Sequence, residues 1–264
     1  MKERIQKLLA NAGVASRRNV EQMVLDGRID VNGKTVRELP VLIDPETDHV
    51  EVDGERVRLR DRVAGRRHYI ILNKPKGVYS TNVAQGEQTR AIDLLGGHVS
   101  ARVYPVGQLE ADAKGLLLLT NDGDLTNRLT HPRYGVAKTY RATVDGLVDP
   151  KELEQLEKGI WLADKQGKGF KTGRSHIRIV KRTRERSVLE ITIREGRNRQ
   201  VRRMLASVGH KVKDLTRIKM GPLTLEGLAP GQFRELTPRE VKELQRSARG
   251  DRDKGREERE DVET

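Results

Sequence analysis

The residue best placed to do chemistry is a carboxylate, Glu110, in the stretch YPVGQLEADAKGLLLLTNDGDLTNRLTHPR from Tyr104 to Arg133. Turn-forming Pro105 and Gly107 precede it, and a second turn at Lys114-Gly115 follows it. Two other features belong with it. Tyr140 lies in KTYRATV, whose alternation suits a half-buried strand, and a tyrosine there is more often core than catalytic. Arg197, Arg199, Arg202 and Arg203 surround the first turns of an expected helix. A carboxylate near an arginine and a tyrosine in a basic cleft permits covalent glycosyl chemistry without a cofactor. An arginine beside the carboxylate would keep it ionised by opposite charge. No cofactor and no metal is expected, because the chain has no His-Glu-x-x-His, no metal-spaced histidines and no phosphate-binding glycine loop. His131 and His210 are isolated and read as structural, and no Ser-His-Asp arrangement is visible.

These residues need elements to hold them. Leu116 to Leu119 is a short apolar run between turn signals, the pattern of a buried strand. It would fix Glu110 at the edge of a rigid core under a polar loop. Asp124 or Thr126 is expected to cap a helix through Leu129, closed by Pro132. Asp112 would point away from Glu110 if the segment between them were extended. Earlier, HYIILNKPKG reads as a strand and turn, with Lys74 supporting the turn. Later, 150–162 reads as a helix with Trp161 packed at its end; strands follow at 175–181, 187–194, 212–220 and 223–228. A last helix starts at Leu236-Thr237-Pro238. The loop 164–173 is rich in glycine and lysine and offers an electrostatic contact.

The first 60 residues form a separate pattern. Ile5, Leu8 and Leu9 share one helical face, Ser16 caps a second helix, and Asn32-Gly33 and Asp53-Gly54 are hairpin turns. Arg60 to Arg67 is a charged link, and the tail 249–264 lacks an apolar pattern and is expected to be disordered. With 264 residues the chain has room for two modest domains. The expected division is 1–60, 67–238 and the tail.

Charge narrows the partner. The net charge is +13, yet residues 1–60 are balanced, while 171–219 carries 16 basic against 4 acidic groups. A concentrated basic segment favours a polyanion, here nucleic acid, over a generally solubilised surface. There is no cysteine, which suits a reducing cytoplasm, and the charged amino terminus does not read as a signal peptide. No apolar run reaches membrane-spanning length, so no membrane partner is expected.

Four ordered motifs give the chain a resemblance. They are NKPKG at 73–77; VGQLEADAKGLLLLTNDG at 106–123; KTYRATV at 138–144 after His131-Pro132; and GRNRQVRRM at 196–204. Together they resemble the RsuA/RluB type of pseudouridine synthase, which modifies ribosomal RNA. RIQKLLANAGVASRR with GRIDVNGK similarly resembles the alpha-L RNA-binding motif. The resemblance implies an α+β fold: a small alpha-L RNA-binding domain, then a catalytic domain on a mostly antiparallel sheet. It implies isomerisation of a specific uridine, in RNA of the large subunit, by a cytoplasmic monomer acting on ribosomal RNA or a pre-ribosomal particle. Glu110 stands at the nucleophile, Tyr140 at the residue that stacks on the target uracil, and Arg202 at the arginine that pairs with the catalytic carboxylate. Arg17, Arg18, Arg28 and Lys34 would face RNA, as would Gln108, Arg197, Arg199 and Arg203.

Three positions depart from the family pattern. Gln108 replaces an arginine, Glu110 an aspartate, and Ala113 a serine or threonine. Glu110 keeps the charge but adds one methylene. The same departures fit a second reading, a catalytically silent RNA-binding paralogue acting in ribosome assembly.

Overall fold

The computed structural model describes residues 2–59, 66–99, 101–163, 167 and 169–249. Most of the 60–67 link, part of the 164–173 loop and all but the first residue of the 249–264 tail lie outside the described residues. The chain divides into two compact units, Met1–Arg67 and His68–Thr264.

In the first unit, α1 (Ile5–Asn11) and α2 (Arg17–Leu25) pack on short strands. These are β1 (Glu3–Arg4), β2 (Ile29–Val31), β3 (Lys34–Val36), β4 (Leu42–Ile43), β5 (Val50–Val52) and β6 (Glu55–Val57). Ser16 caps α2 by accepting from the Asn19 N–H. Asn32 and Gly33, like Asp53 and Gly54, take the left-handed conformation that two-residue hairpin turns require. Ile5, Leu8, Leu9, Val20, Val24 and Ile29 form the core.

The second unit is built on a nine-stranded sheet. Its strands are β7 (Tyr69–Lys74), β8 (Tyr104–Pro105), β9 (Lys114–Thr120), β10 (Lys138–Asp145), β13 (His176–Arg182), β14 (Arg186–Ile193), β15 (Val212–Met220), β16 (Leu223–Thr224) and β17 (Phe233–Glu235). The main order is β13-β14-β10-β15-β9-β7-β17, with β8 on β9 and β16 on β15. Among the described residues, β15–β9 is the one parallel pair of these strands. The sheet is therefore mostly antiparallel, as the resemblance implied. β11 (Trp161–Ala163) and β12 (Gly169–Lys171) form a separate hairpin.

The leucine run is buried throughout because both sheet faces are covered. Leu117 and Leu119 face a core shared with Leu156 of α4 (Pro150–Lys158) and with Val201, Met204 and Leu205 of α5 (Gln200–Ser207). Leu116 and Leu118 face the other core, with Leu125 and Leu129 of α3 (Gly123–Thr130) and Leu244 of α6 (Pro238–Ser247). A strand covered on both sides loses the polar alternation of a half-exposed one. Truncating one such leucine costs roughly 2–5 kcal/mol.

Several sequence expectations change. The cap of α3 is Asp122, which accepts from the Leu125 N–H and from the Tyr69 hydroxyl; neither Asp124 nor Thr126 is the cap. Lys114-Gly115 is not a turn before the strand but its first two residues. The 150–162 helix stops at Lys158, where Gly159 at φ +85° breaks it. Trp161 then lies on the hairpin, 72 % exposed and not packed. The strand expected at 223–228 ends at Thr224.

Candidate active site

Glu110 sits in a tight turn, not an extended segment, because the Ala113 N–H donates to the Glu110 carbonyl. Ala113 is fully buried beneath it. The turn is pinned from the NKPKG side. The Gly77 N–H donates to the Ala111 carbonyl at 2.7 Å, and Ser80 Oγ donates to the Leu109 carbonyl at 2.9 Å. Lys74 holds that side in shape: its buried Nζ donates to the carbonyls of Pro75 and Val78. Desolvation, with repulsion from Arg217, lowers the Lys74 ammonium to about 8.

Two guanidinium groups reach the carboxylate. Glu110 Oε2 accepts from Arg202 Nε at 2.9 Å and from Arg199 Nη1 at 2.8 Å. Arg202 is itself fixed, donating to the carbonyls of Val212 and Asp112 at 3.2 Å each. Arg199 caps α5 in the left-handed conformation, φ 50°, where a non-glycine residue is strained.

The turn changes the reading of Asp112. It does not point away: Arg202 Nη2 lies 3.2 Å from its Oδ2 and Arg199 Nη1 3.4 Å from its Oδ1. Two carboxylates thus share two arginines. Burial raises the Glu110 carboxyl above its ordinary value, and its hydrogen-bonded neighbour Asp112 adds to the rise; Arg199 and Arg202 pull against it. Asp112 is held below its ordinary value. Burial opposes that, but the bond with Glu110 and the charges of Arg202 and Arg199 outweigh it. Like charges at close range push such a pair apart.

Glu110 lines a cleft of about 590 Å3, with Tyr79, Gln108, Lys138, Tyr140, Arg197, Arg199 and Arg217 also in its walls. A row of paired residues crosses the sheet beneath it. Lys74 of β7 pairs with Gly115 of β9, Gly115 with Arg217 of β15, and Arg217 with Tyr140 of β10. Gly115 is required there: at φ +106°, an added Cβ would lie 2.3 Å from the Arg217 carbonyl oxygen. Tyr140 is nearly buried, so it serves both core and cleft.

The expected site residues separate into three groups. Glu110 is bonded to Arg202 and shares its cleft with Tyr140. Gln108, Arg197 and Arg199 lie in the same cleft, and Arg199 is engaged with Glu110. Arg197 also stacks over Phe170 of the β11–β12 hairpin, 4.0 Å from the ring centre, with Arg203 at 5.6 Å. Arg17, Arg18, Arg28 and Lys34 are exposed on the first unit, where Arg28 pairs with Asp53 through two bonds. That unit carries a wider hollow of about 990 Å3, lined by Asn19, Arg28 and Arg56 among others. Among the described residues, no three His, Asp or Glu side chains form a group able to hold a metal ion. No helix among them is long and apolar enough to cross a membrane.

Ser80, Lys138 and Arg217 are additions that the sequence reading missed, and Asp112, expected to point away, joins them. The signal for Arg217 was present: it falls in phase with Leu215 in DLTRIKM, at a position alternation assigns to the interior.

Known proteins resemble this chain over most of its length. The RNA pseudouridylate synthase family model matches residues 68–207, and an S4 domain model matches residues 3–45. A protein of Aquifex aeolicus described as an uncharacterized RNA pseudouridine synthase is 46% identical, over 92% of this chain and 94% of its own length. The ribosomal large subunit pseudouridine synthase B of Bacillus subtilis is 43% identical, over 92% of this chain and 95% of its own. A crystal structure of a pseudouridylate synthase superposes with a TM-score of 0.65 at 29% identity, covering 91% of this chain and 99% of that one. The family model spans more than half of the sequence, and such relatives cover nine-tenths of it: this chain belongs to the RNA pseudouridine synthase family.

Proposed function

We propose that this protein isomerises a specific uridine of large-subunit ribosomal RNA to pseudouridine, with Glu110 as the nucleophile. The observation that carries the reading is the pairing of Glu110 with Arg202 and Arg199 in the cleft that also holds Tyr140. The target uridine leaves its stack, at a cost of a few kcal/mol, and enters the cleft with its ring on Tyr140. A Glu110 oxygen bonds to the sugar carbon C1′ as the C1′–N1 bond breaks and its electron pair moves to the base. The freed base turns, and its C5 bonds to C1′ and expels the carboxylate. C5 then loses its proton and N1 gains one, so the product is an isomer of the substrate. Arg202 and Arg199 keep Glu110 ionised for the first step and accept it back after the second.

Binding is shared between the units. Arg17, Arg18, Arg28 and Lys34 of 1–60 take RNA backbone, while Gln108, Arg197 and Arg203 hold the strand around the target in 67–238. Arg199 serves the carboxylate first. The protein works as a monomer in the cytoplasm, on ribosomal RNA or a pre-ribosomal particle, and not on a membrane. The large-subunit assignment follows the Bacillus subtilis relative. The test is to map pseudouridine in ribosomal RNA from cells with and without the gene. One position should lose the modification, recover it with the wild-type gene, and fail to recover it with Glu110→Gln. An unchanged map overturns the proposal and favours a silent RNA-binding role.

A further inference from the structure

Three buried cations lie under the cleft. Arg217 is 2 % exposed, and Lys74 and Lys138 are also buried. Among the described residues their hydrogen bonds go to backbone carbonyls: Lys74 bonds to Pro75 and Val78, Lys138 to Leu129 and Val136, and Arg217 Nε to Leu116 at 2.7 Å, while the charge of Asp112 acts on Lys74 without a bond. Arg217 Nη2 is buried and makes no hydrogen bond among those residues. Desolvation and repulsion from Arg217 lower Lys138, like Lys74, to about 8. Buried charges are ordinarily paired with opposite ones. Here the excess positive charge faces the cleft through Arg217 and Lys138, both of which line it.

We propose that Arg217, supported by Lys138, receives the ring oxygen of the target base that becomes anionic when the glycosidic bond breaks. This rests on the reading of Glu110 as nucleophile. When C1′–N1 breaks, the electron pair on N1 spreads to the ring carbonyl oxygens. Arg217 pairs with Tyr140 across the sheet, so a base stacked on that ring brings its edge toward the guanidinium. A flat ring reaches this floor, whereas backbone phosphates run along the rim, where exposed Arg197 and Arg199 stand. A donor fixed where charge develops acts in the transition state more than in the ground state. When C5 bonds to C1′ and the C5 proton is lost, the base is neutral again and the hydrogen bond weakens.

The test compares full-length wild type, Arg217→Met, Arg217→Lys and Lys138→Met on a ribosomal RNA fragment under single-turnover conditions. The target is either uridine or 5-fluorouridine, whose fluorine stabilises the departing base; because C5 then carries fluorine and has no proton to lose, the rate read for both bases is disappearance of the original N1-linked nucleoside, which reports C1′–N1 cleavage. Arg217→Met should slow conversion of uridine about 100-fold, the usual cost of losing such a donor. Its loss with 5-fluorouridine should be clearly smaller, with RNA affinity and melting temperature little changed. Arg217→Lys should recover part of the rate. If Arg217→Met does not fold, Lys138→Met should show the same smaller loss with 5-fluorouridine. Equal losses with both bases overturn the proposal. A weakened RNA affinity with a salt slope reduced by about one, and a normal rate at saturation, also overturns it and assigns Arg217 to a phosphate. Glu110→Gln is measured alongside. If it is inactive while the Arg217 losses are equal, only this inference fails; if it is fully active, the nucleophile reading fails as well.

Discussion

At the scale of single residues, the two carboxylates on one arginine pair govern the response to pH. As the proposed nucleophile Glu110 would attack as the anion, and its carboxyl is raised by burial and by Asp112. The single-turnover rate should therefore fall with acid at a higher pH than for an ordinary glutamate. Asp112→Asn removes the like-charged neighbour while Arg199 and Arg202 remain. The acid limb of that variant should move to lower pH, measured as rate against pH at saturating RNA; a limb that stays in place would show that Asp112 does not set it. The side-chain length can be tested at the same position. Both guanidinium groups bond to an oxygen placed at the reach of glutamate. Glu110→Asp should thus slow the reaction about 10- to 100-fold, since shifts of an ångström carry that cost. A faster Glu110→Asp enzyme would mean the site is still fitted to aspartate.

At the scale of elements, Gly115 joins strand order to chemistry. It lets β9 and β15 approach in their parallel pairing, and so sets Arg217 between Lys74 and Tyr140. Gly115→Ala should destabilise the second unit by at least about 2 kcal/mol, because the collision is with backbone that cannot turn aside. A urea midpoint equal to wild type would refute this. The elements were largely legible in the sequence, and the failures have physical causes. The leucine run, the Ser16 cap and the two hairpin turns are local signals, set by apolar spacing and turn chemistry. The cap of α3 was misplaced because Asp122 lies in an Asn-Asp-Gly-Asp cluster in which several side chains could accept the bond. The helix expected over 150–162 stops short because Ile160 continues the apolar spacing of Leu153 and Leu156 in the sequence, while Gly159 turns the chain out. The site was legible as residues but not as a geometry. Glu110, Tyr140 and Arg202 carry motif signals, whereas the role of Asp112 depends on a turn that alternation could not reveal. The buried bond of Arg217 to Leu116 spans about a hundred residues of sequence.

At the scale of the whole molecule, the proposed function has charge gather the RNA and the cleft select it. The 171–219 segment carries most of the excess charge, and Arg197 and Arg203 flank Phe170 on its surface. Reversing both, as Arg197→Glu with Arg203→Glu, should weaken RNA binding. The slope of log affinity against log salt should fall by about one for each phosphate that is no longer neutralised. Arg199 is left intact because it holds Glu110. An unchanged slope would move the electrostatic binding to the first unit. The central claim is that Glu110, held by Arg202 and Arg199, is the nucleophile of an active enzyme. Pseudouridine formation on ribosomal RNA by purified wild type and Glu110→Gln tests it most directly, with RNA affinity measured in parallel. Wild type should convert the target, Glu110→Gln should lose at least about 100-fold, and the affinities should be nearly equal. Equal conversion by the two proteins would contradict it.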